Sequence, residues 1–399
     1  MAGAPMAGAP MAGAPKAGAV PEVSRNQVLA YRVAAHELDR AKSSAHDLAV
    51  LDLGVQDTPY GSAWLALAAR MASPVPEDRL ALVWSIRGAP HLHRRAGLAT
   101  LAAALWPLSD ADATARIADS HIKEGARFGM AAFTAVARAM RAVVGGIDGK
   151  PLAKGVVSAA VSSQVPAALT YWCKGCQAQH ISGGLFQQAG LPAGVQLASP
   201  ELAPGAQGSG SRPATRLAPI GGWPGVPAVA AGTGSVIATY LRLLGPATRA
   251  EVAKFLGTTQ AEVRRAWPDG LAEIRVDGRR AWLPGDRVDA LRSATAPRLV
   301  RMLPPADPFL QARDRGLLVP DRSRQAAVWQ ILANPGALLV DSEVAGIWRA
   351  RLAGKHRLDI TVTPFEALDS AARAAVETEA GHVAAARGAA DFRVLLASE

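Results

Sequence analysis

The 399-residue chain has little cysteine: only Cys173 and Cys176. Two thiols cannot build a disulfide scaffold, so a reducing compartment is expected. It has no long unbroken apolar run. The stretches from Gly155 to Cys173 and from Leu217 to Leu241 are uncharged, but Pro, Gly, Ser or Gln interrupts both, which argues against a membrane span. No basic flank followed by an apolar core opens the chain, so no secretory leader is expected and the cytoplasm is the expected location. Nucleotide and hydrolase signatures are missing too. Gly208-Ser209-Gly210 follows no strand pattern and precedes no helix pattern, and no Gly-x-Ser-x-Gly elbow occurs. No heptad repeat suggests a dimer helix, so a monomer with no obligate protein partner is expected.

Negative charge is also in short supply. Lys and Arg number 43 against 33 Asp and Glu, a formal charge of +10. Such a surplus favours a polyanionic partner, because each cation placed at a phosphate releases condensed counterions. A merely solvated basic surface is the other reading. Half of the residues are apolar, enough for sizeable cores.

Composition shifts divide the chain. Residues 1–22 open with three Met-Ala-Gly-Ala-Pro repeats and are read as a disordered tail. Residues 23–150 form a first unit, ending at Gly145, Gly146 and Gly149. Its expected helices are Ser24 to Arg40, Ser62 to Met71, Glu77 to Leu82, Ala99 to Ala104, Asp110 to Ile117 and Phe128 to Val144, with a strand from Val83 to Ile86. Residues 151–199 form a second unit. Residues 200–227 are rich in Gly, Pro and Ser and read as a flexible linker.

The third unit, 228–298, carries the clearest local signals. Thr248-x-x-Glu251 and Thr259-x-x-Glu262 are two capping boxes, each opening a helix. Asp277-Gly278 between two apolar runs marks a hairpin, since both turn positions favour positive φ. Three helices and a hairpin make a winged helix, whose last helix would enter a DNA groove. Arg264 and Arg265 lie on that helix, and Arg279 and Arg280 on the wing. Residues 299–399 read as a small β-rich unit, with one helix from Ser370 to Arg387 packed on it, its charged face solvated. The expected class is α+β, mainly α: tandem winged-helix units with a C-terminal β-barrel-like domain.

Several segments, in this order, resemble the AlkZ-like (YcaQ/AlkZ) winged-helix DNA glycosylases: Leu53 to Pro59, Trp84 to His93, Gly278 to Trp282, Leu303 to Phe309 and Val340 to Arg349. The resemblance covers about residues 24–399. It implies three winged-helix units and a C-terminal β-barrel around a basic channel for double-stranded, alkylated DNA, with no cofactor. It also implies cleavage of the N-glycosidic bond of alkylated purines, and of some crosslinks, by a Gln–hydrophobic–Gln or Gln–hydrophobic–Asp motif. Here the first Gln is Gln56, but Asp57 fills the apolar position and Thr58 the third. Gln56, Asp57 and Thr58 are the candidate catalytic residues, and Gln-Asp-Thr-Pro is equally a good turn sequence. Arg87, His91 and His93 are candidate DNA contacts; a structural use of the histidines is the other reading. Cys173, Cys176 and His180 have zinc-ligand chemistry but lack a fourth partner, so two reduced thiols in a loop is the competing reading. A DNA-binding regulator without catalysis is the alternative to an enzyme.

Overall fold

The computed structural model describes residues 20–72, 78–117, 119–146, 150–198, 214–354 and 356–397. The Met-Ala-Gly-Ala-Pro tail and the first half of the expected linker, residues 200–213, lie outside these. Helices and small sheets alternate along the chain.

The first sheet orders strands Val55–Gln56, Pro90–Arg94 and Leu80–Trp84, all antiparallel. Leu80–Trp84 is buried throughout. Leu82 and Trp84 enter one core while Ala81 and Val83 enter another. A strand covered on both faces reads as a continuous apolar run. That is why Leu80 to Leu82, the end of the expected short helix, belong to this strand, while its start at Glu77 lies outside the described residues. Gly54, at φ 88°, permits the close turn into Val55, because a Cβ there would fall 2.3 Å from the His93 ring.

A second sheet, three-stranded and antiparallel, has the order Leu152–Ala153, Arg216–Pro219, Val195–Ala198, and its buried Val195, Leu197 and Leu217 share a core with Leu82 and Trp84 of the first sheet. Arg216–Pro219 falls inside the expected linker. Its Leu217 and Ala218 are buried, so the chain after 213 is structural, and composition alone missed it. A separate hairpin pairs Thr170–Cys173 with Ala178–Ile181.

The third unit follows its local signals closely. Helix Arg249–Leu256 has the full Thr248/Glu251 capping box. Helix Gln260–Arg265 is capped by the Thr259 side chain, but Glu262 turns away to the Ser109 hydroxyl and Arg265. Strands Leu271–Val276 and Arg279–Pro284 turn at Asp277 (φ 45°) and Gly278 (φ 78°). The N-terminal segment, expected in the tail and the first unit, completes this one. Glu22–Val23 adds a parallel strand beside Arg275–Val276. Helix Arg25–Ala35, capped by Ser24 and Gln27, buries Val28 and Tyr31 against Ile274, Val276, Leu283 and Leu291.

The C-terminal unit is an open five-stranded sheet, not a barrel. Its order is Val300–Leu303, Gly336–Val340, Glu343–Ala353, Arg357–Pro364, Asp391–Leu396. The last pair is parallel, so the chain must cross over between them, and helix Ser370–Ala386 is that crossover. The helix packs Val376, Ala380 and Val383 on Met302, Leu338 and Ile360, covering one face while the two outer strands stay unpaired with each other. This helix was expected to pack on the C-terminal unit with its charged face solvated; it does pack there, but Glu379 is buried and pairs with Arg40 and Arg301.

Buried ion pairs join the units. Arg70 donates to both oxygens of Asp307 at 2.9 and 2.8 Å, with both side chains fully buried. Arg70 also meets His36 Nδ1 at 3.2 Å, while His36 Nε2 donates to the Leu243 carbonyl at 3.1 Å. Arg32 and Asp314 form a second such pair.

Candidate active site

Gln56 ends the edge strand of the first sheet, opposite His91. Its backbone carbonyl accepts the Ser62 hydroxyl at 3.2 Å. Among the described residues its side-chain amide has no hydrogen-bond partner. Gln56 is half-buried on the wall of a cleft of about 590 Å³, with Thr58, Trp84, Arg87, Pro90, Lys154 and Gln187 around it. Lys154 holds its ammonium 5.6 Å from the Trp84 ring centre. Thr58 is exposed and also lines a second cleft, of about 510 Å³, with Pro305, Trp348, Arg349 and Arg387. Thr58 thus stands between two hollows, each bearing cations.

Asp57 is buried, and its Oδ1 accepts the Ala63 N–H at 3.0 Å, in the first turn of helix Ser62–Ala68. Side chains one residue apart on an extended segment diverge. Asp57 is therefore spent on the helix start rather than aimed into the cleft with Gln56.

His91 and His93, expected to face DNA, are buried instead. His91 Nδ1 lies 2.9 Å from the Ala89 carbonyl, and His93 Nε2 lies 3.0 Å from the Ser85 hydroxyl. Burial pulls His91 down to about 3, with His93 adding to it, and pulls His93 down to about 4. Both rings are neutral core groups. Arg87, expected at phosphate, takes a left-handed backbone (φ 55°) and turns its guanidinium onto the third unit. It donates to the Phe255 carbonyl and lies 5.4 Å from the Phe255 ring centre. Burial, and the neighbouring Arg313, lower it to about 10, so it remains a cation.

The third-unit arginines are exposed but unequal. Arg265 pairs with Glu262, Arg279 with Glu251, and Arg280 with Glu273. Arg264 has no ion pair among the described residues. Cys173, Cys176 and His180 are brought together on the separate hairpin. Lys154, Gln187, Arg349 and Arg387 were not foreseen. They come from four distant segments, and no local pattern marks residues that only folding gathers.

Among the described residues no single helix is long and apolar enough to cross a membrane. The arrangement of small sheets and helices is that of a known DNA repair enzyme. A solved structure, DNA glycosylase AlkZ of Streptomyces sahachiroi, matches with a TM-score of 0.69 over 94% of this chain and 100% of that one, at 20% identity. The model of the DNA glycosylase AlkZ-like family matches residues 50–386, and the chain belongs to that family. A curated relative, the interstrand DNA cross-link repair glycosylase of Streptomyces sahachiroi, is 32% identical over 167 residues. That stretch is 39% of this chain and 42% of the relative, so the match spans less than half of that protein.

Proposed function

We propose that this protein is a monofunctional DNA glycosylase that removes N-alkylated purines from double-stranded DNA, with Gln56 positioning the attacking water. An N7-alkylated purine already carries a positive charge. Its glycosidic electron pair can leave with the base without prior protonation, and the departing base becomes neutral. The sugar passes through an oxocarbenium-like state, the water oxygen bonds to C1′, and one proton goes to solvent. The site then has only to hold water and sugar in register, which an amide can do.

The observation that carries this reading is the uncommitted Gln56 amide on the wall of an open, cation-flanked cleft. Thr58, exposed beside it, is the second polar group in place of the buried Asp57. Lys154 and Arg349 supply phosphate contacts on either side, and a base turned out of the stack would enter between them. The helix-and-hairpin units serve as winged helices, with Arg264 toward the backbone. The name of the relative extends the proposal to crosslinked purines, and two adjoining open hollows suit a bulky lesion.

The test is release of free base from duplex DNA carrying 7-methylguanine. Wild-type protein should release it, and Gln56→Ala should release it at least about a hundredfold more slowly with its fold intact. Absence of release by the wild type, with salt-sensitive DNA binding retained, would leave a DNA-binding protein without catalysis.

A further inference from the structure

Three metal-type donors converge on the hairpin of the second unit. Its ladder pairs Tyr171 with His180 and Cys173 with Ala178. Alternate residues of a strand share a face, so Cys173 and Tyr171 lie on the same face as His180. Cys176 sits in the connecting turn, where Gln177 at φ 50° bends the chain back toward the first strand.

One donor atom each from Cys173, Cys176 and His180 lies within 4.8 Å of the others. Two zinc–sulfur bonds of about 2.3 Å at a tetrahedral angle put sulfurs roughly 3.8 Å apart. Small side-chain rotations close the set around an ion. The Nε2 atom of His180 is buried and has no hydrogen-bond partner among the described residues, an unmet polar group that calls for an explanation. Cys173 is half-buried and Cys176 exposed, so an ion can reach them from solvent.

We propose that Cys173, Cys176 and His180 bind one zinc ion, whose fourth position is open to water or an external ligand. Two thiolates and an imidazole select zinc over magnesium or calcium. Binding exchanges the two thiol protons for the ion. A two-stranded hairpin is marginal in water, and a metal on one face would fasten it. Trp172, 57% exposed, projects from the other face, opposite Gln179. Zinc therefore holds a surface hairpin in shape and plays no part in the chemistry at Gln56.

The full chain, reduced and stripped with chelator, is titrated with cobalt(II) and then zinc. The expected result is one cobalt per chain, with intense tetrahedral visible bands and sulfur-to-cobalt charge transfer, bleached by one equivalent of zinc. The chain has only two cysteines, so charge transfer reports on these alone. Cys173→Ser and Cys176→Ser should each abolish that band, and His180→Gln should weaken binding at least about tenfold. Zinc should also slow amide exchange in the hairpin of the wild type. Circular dichroism and thermal unfolding verify that each variant stays folded. No charge-transfer band in the reduced wild type, or cysteine variants that bind like wild type, overturns the proposal. Base release from alkylated DNA is assayed separately, so either reading can fail without the other.

Discussion

Gln56 and Asp57 are neighbours with opposite fates. Gln56 faces the cleft, while Asp57 turns inward to the Ala63 amide. Asp57→Ala should cost about 1 kcal/mol in denaturant unfolding, the size of a lost helix cap, and keep base release within a few-fold. Loss of release in a folded Asp57→Ala protein would return the carboxylate to the chemistry. The buried histidines set a pH dependence. Unfolded, each binds a proton near its ordinary 6.5; folded, His91 does so only near 3 and His93 near 4. Burial lowers His36 in the same sense. The unfolded chain thus binds more protons as pH falls, so stability is full above about pH 6.5 and declines below it. The unfolding midpoint should already drop between pH 6.5 and 5, above the usual carboxylate range of about 4. His93→Gln should flatten that decline; a slope unchanged by the substitution would remove His93 as its source.

The segment Leu303 to Phe309, one of those carrying the family resemblance, is explained at the level of elements. It places Asp307 in the core against Arg70, which rises from the end of helix Ser62–Ala68. The loop also gives the Leu303 carbonyl to the Trp348 indole at 2.9 Å. Gly336 makes room there, since a Cβ on it would fall 2.3 Å from the Trp348 ring. Asp307→Asn leaves Arg70 a buried, uncompensated cation, and should destabilise by about 3–5 kcal/mol in chemical denaturation. A loss below about 1 kcal/mol would mean that water reaches the pair. Helices with their own caps were legible locally: Ser24, Thr248 and Thr259 each start one. The strand Leu80–Trp84 was not, because a short apolar run looks alike in a buried strand and a buried helix.

Across the whole molecule, the +10 charge is neither uniform nor fully available. Arg279 and Arg280 are already held by Glu251 and Glu273, whereas Arg264 has no such pairing among the described residues and Lys154 borders the cleft. If duplex DNA lies along the cleft, Lys154→Ala and Arg264→Ala should each lower the slope of log affinity against log salt by about 1. Arg280→Ala should change it less. Equal slopes in all three variants, measured by anisotropy on duplex DNA, would place the DNA elsewhere.

The sequence by itself determined what short-range chemistry controls: capped helices, the Asp277-Gly278 hairpin, the excess of cations, and the ordered segments that mark the family. Tertiary structure decided what depends on packing between distant residues. It put Glu22–Val23 and helix Arg25–Ala35 onto the third unit, left the C-terminal sheet open, and buried His91 and His93. It also drew Lys154 and Arg349 to the two hollows that share Thr58. A cap is satisfied within one turn of its own residue, whereas burial depends on which other surface arrives to cover a face, and no local pattern contains that surface.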